Sequence, residues 1–487
     1  MPLTRREFLK GCCATAAIGA GGPALLFSND ALAAVNGHDT IVQVFLRGGI
    51  DGLNLVVPIS GNDRGYYEQA RPNLAIAATG TYGALPLTLA GGGATGFGLH
   101  PSATGLRDLW DASHLAIVHS CGLPTATRSH FDAQLYVDLG TPGQQSIGSG
   151  WMTRAWNSQP GATGSESMPA LGVNSRQPAI LLGSTQALVM GSPSDFALDA
   201  GAWQWQKARS GSPAGFRGVN ETLASMWAGN TPLESGGQRA DRSLRVVAQQ
   251  PYAALPADWP TSTFARQLWT VAQSIQFNLG MRYATLDLGG WDTHDGQGSA
   301  GSGWHYYQNK INELSAALSA FYNTLTASGH MSRVTMVVQS EFGRRVRENA
   351  SGGTDHGYGN PLLVLGGAVN GRRFFGSWAG LDPETLSPHF GDVPVTTDYR
   401  RVLSELLVRR MGNSNLGTVF PGYSGYSPLG VVQDAAAASQ GTMSTTASTP
   451  VVSSQAATKR GLRKSRRPQS GFDLFRLLWR IFLQLTR

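Results

Sequence analysis

Residues 334–367 read VTMVVQSEFGRRVRENASGGTDHGYGNPLLVLGG, and two short apolar runs inside them set the fold class. Val334 to Val338 is β-branched and apolar, the pattern of a strand covered on both faces, and Pro361 to Leu365 is a second such run. Between them stand Glu341, Arg344, Arg345, Asp355 and His356. In open α/β sheets the ligand crevice lies beyond the carboxyl ends of the strands, so a polar cluster directly after Val338 falls where a site is expected. A solvated loop is also polar, which accounts for Arg347 and Glu348. It accounts less well for Asp-His-Gly-Tyr-Gly running into Asn-Pro and a strand.

The same alternation continues outward. Arg282 to Leu288 reads as a buried strand ending in Gly289-Gly290-Trp291-Asp292-Thr293-His294. Thr263 to Leu279 reads as a helix, and Asn309 to Thr326 sets Ile311, Leu314, Leu318, Phe321 and Leu325 at helical spacing before Gly329. Near the start, TIVQVFLRGGIDGLNLVV (40–57) gives a strand from Ile41 to Leu46, a Gly-rich turn with Asp51, and a second apolar run. An Asp on such a turn suits a metal ligand and a turn cap equally. LAIVHSC (115–121) is another strand, followed by GLPTATRSHFDAQLYVDLG. There Ser129 or Thr127 stands at a helix N-terminus, whose free backbone amides favour an anion; the alternative is that Ser129 only caps the helix. TTDYRRVLSELLVRRM (396–411) is a last amphipathic helix with Thr397 or Asp398 as its cap. Residues 141–260, rich in Gly, Ser, Pro and Trp, read as insertions and short strands covering one end of the sheet. Helix then strand, with an acidic or His-bearing loop after each strand, is the pattern of a parallel α/β sheet wrapped by helices.

The two ends of the chain differ from its body. TRREFLK, a weakly apolar stretch over 11–27 and Ala31-Leu32-Ala33 resemble a twin-arginine export signal. The Gly-rich stretch lacks the ~20 strongly apolar residues of a membrane span. Residues 1–33 are therefore expected to direct the protein to the twin-arginine export machinery and then be removed, leaving it periplasmic or extracellular. Cys12 and Cys13 leave with the signal, so Cys121 has no intrachain partner and reads as a buried small residue. The net charge of +7 sits at the ends: residues 459–487 carry nine Lys or Arg against one Asp, and residues 1–33 carry three against two. That leaves −2 for residues 34–458, which excludes nucleic acid as a partner by charge. Residues 432–471, rich in Ala, Ser, Thr and Gln and then basic, read as a disordered linker. FDLFRLLWRIFLQLTR (472–487) has one narrow polar stripe, as a helix lying on a membrane surface does.

FLRGGIDGLN, TRSHFDAQ, LGGWDTHDGQ, QSEFGRR and GTDHGYGNPLLVLGG, in that order within residues 38–430, resemble the exported domain-of-unknown-function family 1501. That family is in turn similar to the alkaline phosphatase and sulfatase superfamily. The resemblance implies an alkaline-phosphatase-like α/β fold, a largely parallel sheet wrapped by helices on both faces. It implies Asp51 as a metal ligand, Ser129 (or Thr127) as nucleophile, Asp292 and His294 as a shortened metal-binding pair, and His356 as the last ligand. Glu341-Phe342-Gly343 stands where the superfamily has Asp-His-Gly. Phe342 cannot ligate, so one of two metal sites is lost or rebuilt, with Asp355 and Glu341 as replacements. Such ligands suit a divalent Zn, Mn, Mg or Ca ion. The implied activity is metal-dependent hydrolysis of phosphate or sulfate esters, small or polymeric, with Arg128, Arg344 or Arg345 binding the developing charge. The rival is a non-catalytic binding or assembly protein on a degenerate form of the same fold, which Phe342 favours. The central expectation is that Asp51, Asp292, His294 and His356 converge on one metal, with Asp355 joining them or orienting His356.

Overall fold

Strand β1 (Thr40–Leu46) is buried along its whole length. Its side chains alternate between two apolar clusters: Val42, Val44 and Leu46 enter one, Ile41 and Phe45 the other. The first cluster includes residues of the helices Thr104–Asp111, Thr263–Gln276 and Tyr306–Ala327, and the second includes residues of His130–Leu139, Trp151–Asn157 and Tyr399–Arg409. Helices therefore cover both faces, which is why the strand is mostly apolar, with Thr40 and Gln43 its buried polar residues.

The computed structural model describes residues 38–194 and 226–435. After β1 come β2 (Val56–Pro58), β3 (Leu85–Thr88), β4 (Ala94–Leu99), β5 (Leu115–Gly122), β6 (Ala170–Val173), β7 (Ala187–Val189), β8 (Tyr283–Leu288), β9 (Val334–Ser340), β10 (Asn360–Gly366), β11 (Arg373–Phe375) and β12 (Thr397–Asp398). The main sheet runs β11-β5-β10-β9-β1-β8-β6-β7, with β12 also on β5, and β2, β4 and β3 form a small separate sheet. In the main sheet every pairing is parallel except those of β10, which is antiparallel to β9 and β5.

This arrangement places the site. β1, β5, β8 and β9 all end at one edge, so the loops 47–51, 123–129, 289–297 and 341–359 meet there. β10 runs backwards and so begins at that same edge, which keeps both ends of the loop 341–359 beside the others.

Several expectations are corrected. The apolar run after Asp51 is a short helix, Gly52–Leu55, followed by β2 of the small sheet. Residues 141–260 do more than cover an end, because β6 and β7 extend the main sheet in parallel. The last helix is capped by Asp398, whose side chain accepts from Arg400 N. Cys121 is buried. The body also runs past residue 430: Val431 and Val432 are fully buried, and Val432 pairs with Val369. The export signal, residues 436–471 of the expected linker and the tail helix lie outside the described residues. Among the described residues no helix is long and apolar enough to cross a membrane.

Candidate metal centre

Three imidazoles surround one carboxylate oxygen. His130 opens the helix His130–Leu139, Asp292 and His294 lie on the loop after β8, and His356 lies on the loop before β10. Asp292 Oδ1 is 3.3 Å from His130 Nε2, 3.1 Å from His294 Nε2 and 3.3 Å from His356 Nε2. Tetrahedral ligands at ~2.0–2.1 Å from a zinc ion stand about 3.3 Å from one another, and among the described residues His130, Asp292 and His356 form the group whose ligand atoms lie close enough together to hold one cation.

The far nitrogen of each ring is held. His130 Nδ1 lies 2.8 Å from Glu341 Oε1, His294 Nδ1 lies 3.1 Å from Asp355 Oδ1, and His356 Nδ1 lies 2.7 Å from the Arg128 carbonyl. Carboxylates and carbonyls only accept, so each Nδ1 carries its proton and Nε2 is the nitrogen turned inward. Burial lowers the His130 imidazole, and the hydrogen bonds and charges of Glu341 and Asp292 override it and raise it. His294 Nε2 and His356 Nε2 are 2.8 Å apart. Two lone pairs at that distance repel unless a proton or a cation lies between them. Nitrogen and oxygen donors, oriented from behind by carboxylates and a carbonyl, fit a divalent ion.

Glu341 is fully buried, and both its oxygens are occupied. Oε1 accepts from Gly48 N at 2.8 Å and Gln134 Nε2 at 2.7 Å as well as from His130, and Oε2 accepts from Ser340 Oγ at 2.9 Å. Burial pushes its carboxyl up, but the hydrogen bonds from His130 and Gln134 outweigh that and hold it below the usual range. It therefore orients His130 instead of ligating. Asp355 likewise orients a ring, though it is that of His294 and not His356. Burial raises the Asp292 carboxyl, and the Arg344 guanidinium overrides it, bringing it to about 2. His356 is lowered, chiefly by burial.

Asp51 does not join the cluster. Its oxygens sit in the fork of Arg71 at 2.6 and 2.9 Å and accept from Gln297 at 2.6 Å, and it is fully buried. Its charge is already neutralised by a resident cation, so it holds the turn together. Arg344 is buried too and donates to the carbonyls of Gly48, Gly49, Trp291 and Thr354 and to Asp292. It ties three loops together and does not face a substrate. Gly48 is required in this tie: at φ +121°, a Cβ there would lie 2.5 Å from Asp292 N.

Arg128 and Arg345 remain partly open, with side chains 35% and 37% exposed. Both lean on the fully buried Asp392 carboxylate, and Arg128 lies 4.9 Å over the Tyr358 ring. Ser129 Oγ accepts from Asp132 N at 3.3 Å as a helix cap, and Thr127 Oγ1 accepts from Ser129 N at 3.2 Å. Phe342 is buried, with its ring 4.8 Å from that of His130 and 4.9 Å from that of His356. It walls the cluster at the position where a ligand was missing from the sequence. His130 was not singled out from the sequence, although it stands directly after Ser129 in TRSHFDAQ; a ring one residue past a helix cap on a sheet-edge loop was the signal. Arg71 and Gln134 carried no comparable signal.

Comparison with curated proteins finds no match. Among solved structures the chain is similar to lipoteichoic acid synthase LtaP from Listeria monocytogenes, at 10% identity over 68% of this chain and 66% of that one, with a TM-score of 0.28. The chain thus spans just under two thirds of that protein. PsFucS1 sulfatase from Pseudoalteromonas sp. matches at 9% identity, 83% and 75% coverage and a TM-score of 0.32. Phosphonate monoester hydrolase of Agrobacterium radiobacter matches at 13% identity, 80% and 79% coverage and a TM-score of 0.29. All three scores are too low to support an argument about the site. The segment 251–400, which contains Asp292, His294, Asp355 and His356, matches the model of a family described as Protein of unknown function (DUF1501).

Proposed function

We propose that the protein is a divalent-metal-dependent hydrolase of phosphate or sulfate esters that works outside the cytoplasm. The observation that carries this reading is the facing pair His294 Nε2 and His356 Nε2 at 2.8 Å, each with its Nδ1 proton already committed. His130, Asp292 and His356 would hold the cation, with His294 beside them. A divalent ion there supplies Lewis acidity toward an ester oxygen. Arg128 and Arg345 bind the ester's anionic group, since they are the partly exposed guanidiniums braced on Asp392 beside the cluster. Ser129 is the nucleophile and Thr127 the alternative. The Ser129 oxygen accepts from Asp132 N, which leaves its own proton free to be given up.

The sequence motifs at the ends support export through the twin-arginine machinery and contact of the tail with anionic membrane surfaces. Replacing Arg5 and Arg6 together by Lys tests the first, with precursor retained in the cytoplasm as the expected result. A non-catalytic binding role is favoured by one observation, the buried Phe342 ring that walls the cluster where a further ligand would stand. The deciding experiment loads the purified chain with zinc, manganese, magnesium or calcium and assays chromogenic phosphate and sulfate mono- and diesters. Metal-dependent turnover that is lost in Ser129→Ala is expected. Stoichiometric metal without turnover on any of them would support the binding role.

A further inference from the structure

Strand β5 carries an irregularity opposite β10. Cys121 pairs with Asn360 and Val118 with Leu362, so two residues, His119 and Ser120, stand against the single Pro361. Pro361 has no N–H to give to the ladder, which accounts for the break. Ser120 takes φ +47°, in the left-handed region where glycine is the unstrained residue. The Thr396 N–H donates to the Ser120 carbonyl at 2.9 Å and pins the bulge. Ser120 thus keeps a backbone that disfavours it, and its buried hydroxyl has no hydrogen-bond partner among the described residues.

That hydroxyl has company. His119, Ser120 and Asn360 line one cavity of about 20 Å³, whose walls include the apolar Val56, Phe97 and Val393. Asn360 Nδ2 donates to the carbonyls of Ile50 and Phe342, both at 3.1 Å, so the amide is fixed with Oδ1 as its acceptor. Oδ1 is buried and lacks a donor among the described residues. The His119 ring is 6% exposed, stacks on Phe374 at 4.3 Å and makes no hydrogen bond to a described residue. Burial brings its pKa down to about 4, which keeps it neutral. Arg344 lines the cavity too, with its guanidinium already committed to four carbonyls and Asp292. An occupant must therefore be small and neutral, because a cation would meet Arg344 and an anion would find no free positive charge. It must also both donate and accept. Water meets these conditions, since one molecule needs roughly 10–15 Å³ and two to four polar partners.

We propose that this cavity is the site of one ordered internal water, which donates to Asn360 Oδ1, bonds to Ser120 Oγ and takes the His119 ring as its third partner. Asn360 joins the loops 47–51 and 341–359 through its Nδ2, so the water braces that joint from behind. The site uses no ligand atom of the candidate metal centre and is the same whether or not a metal binds there. The test uses the purified full-length chain. A high-resolution crystal structure of wild type should show one peak within about 2.7–3.2 Å of both Ser120 Oγ and Asn360 Oδ1. Ser120→Ala removes the hydroxyl, and Ser120→Gly removes it while suiting the positive φ, so a folded variant does not depend on alanine tolerating the bulge. Magnetic relaxation dispersion of ¹⁷O water, which counts slowly exchanging internal waters, should fall by about one water per chain in each variant. Wild-type crystals with no peak in the cavity, or a water count that Ser120→Gly leaves unchanged, would overturn the proposal.

Discussion

Arg71 encloses the carboxylate of Asp51, with contacts of 2.6 and 2.9 Å, and neither side chain is more than 1% exposed. Removing one partner of such a pair leaves the other charge buried and uncompensated, a loss of about 3–5 kcal/mol. Asp51→Ala should therefore lower the midpoint of denaturant unfolding sharply while the folded fraction keeps its metal. Normal stability with lost metal would make Asp51 a ligand after all.

His100 is fully buried in a neutral form that its neighbours select. Its Nε2 faces the Ser299 carbonyl at 3.2 Å, and its Nδ1 accepts from Ser102 N at 3.1 Å. Burial brings its pKa down from 6.5 to about 4. The unfolded chain then takes up a proton that the native state refuses, so this stability is complete above pH 6.5 and is lost as pH falls toward 4. The full effect is about 3 kcal/mol. Thermal melting of His100→Gln should show a shallower decline over that window, and an equal slope in both proteins would contradict the assignment.

The core of the fold was readable from the chain because strands buried on both faces, such as Ile41 to Leu46 and Val334 to Val338, are mostly apolar runs, broken here only by Gln43 and Thr335. The reversed direction of β10 was not readable, since a run such as Pro361 to Leu365 looks the same whichever way it points. Asp292, His294 and His356 were found as polar residues on sheet-edge loops, and the edge does bring them together. Asp51 met the same criterion and failed it in space, because its partner Arg71 lies on a segment with no periodic signal.

Arg128 and Arg345 share the buried Asp392 and remain open to solvent on their other side. If they receive the anionic group, Arg128→Gln and Arg345→Gln should each lower kcat/KM on charged esters about 100-fold, the scale of losing one donor to a developing charge. Zinc content should not change. A variant with full kcat/KM would remove that arginine from the substrate's path.

The most direct test of the cation site is zinc binding to the purified chain by calorimetry, run beside Asp292→Ala and His356→Ala. Wild type should take up about one zinc ion per chain at His130, Asp292 and His356, and both variants should lose that uptake while remaining folded, His356→Ala with an unchanged thermal midpoint and Asp292→Ala with a lowered one, because Arg344 is left buried without its carboxylate. Wild-type protein that binds no zinc, manganese, magnesium or calcium, or variants that bind as tightly as wild type, would contradict the account.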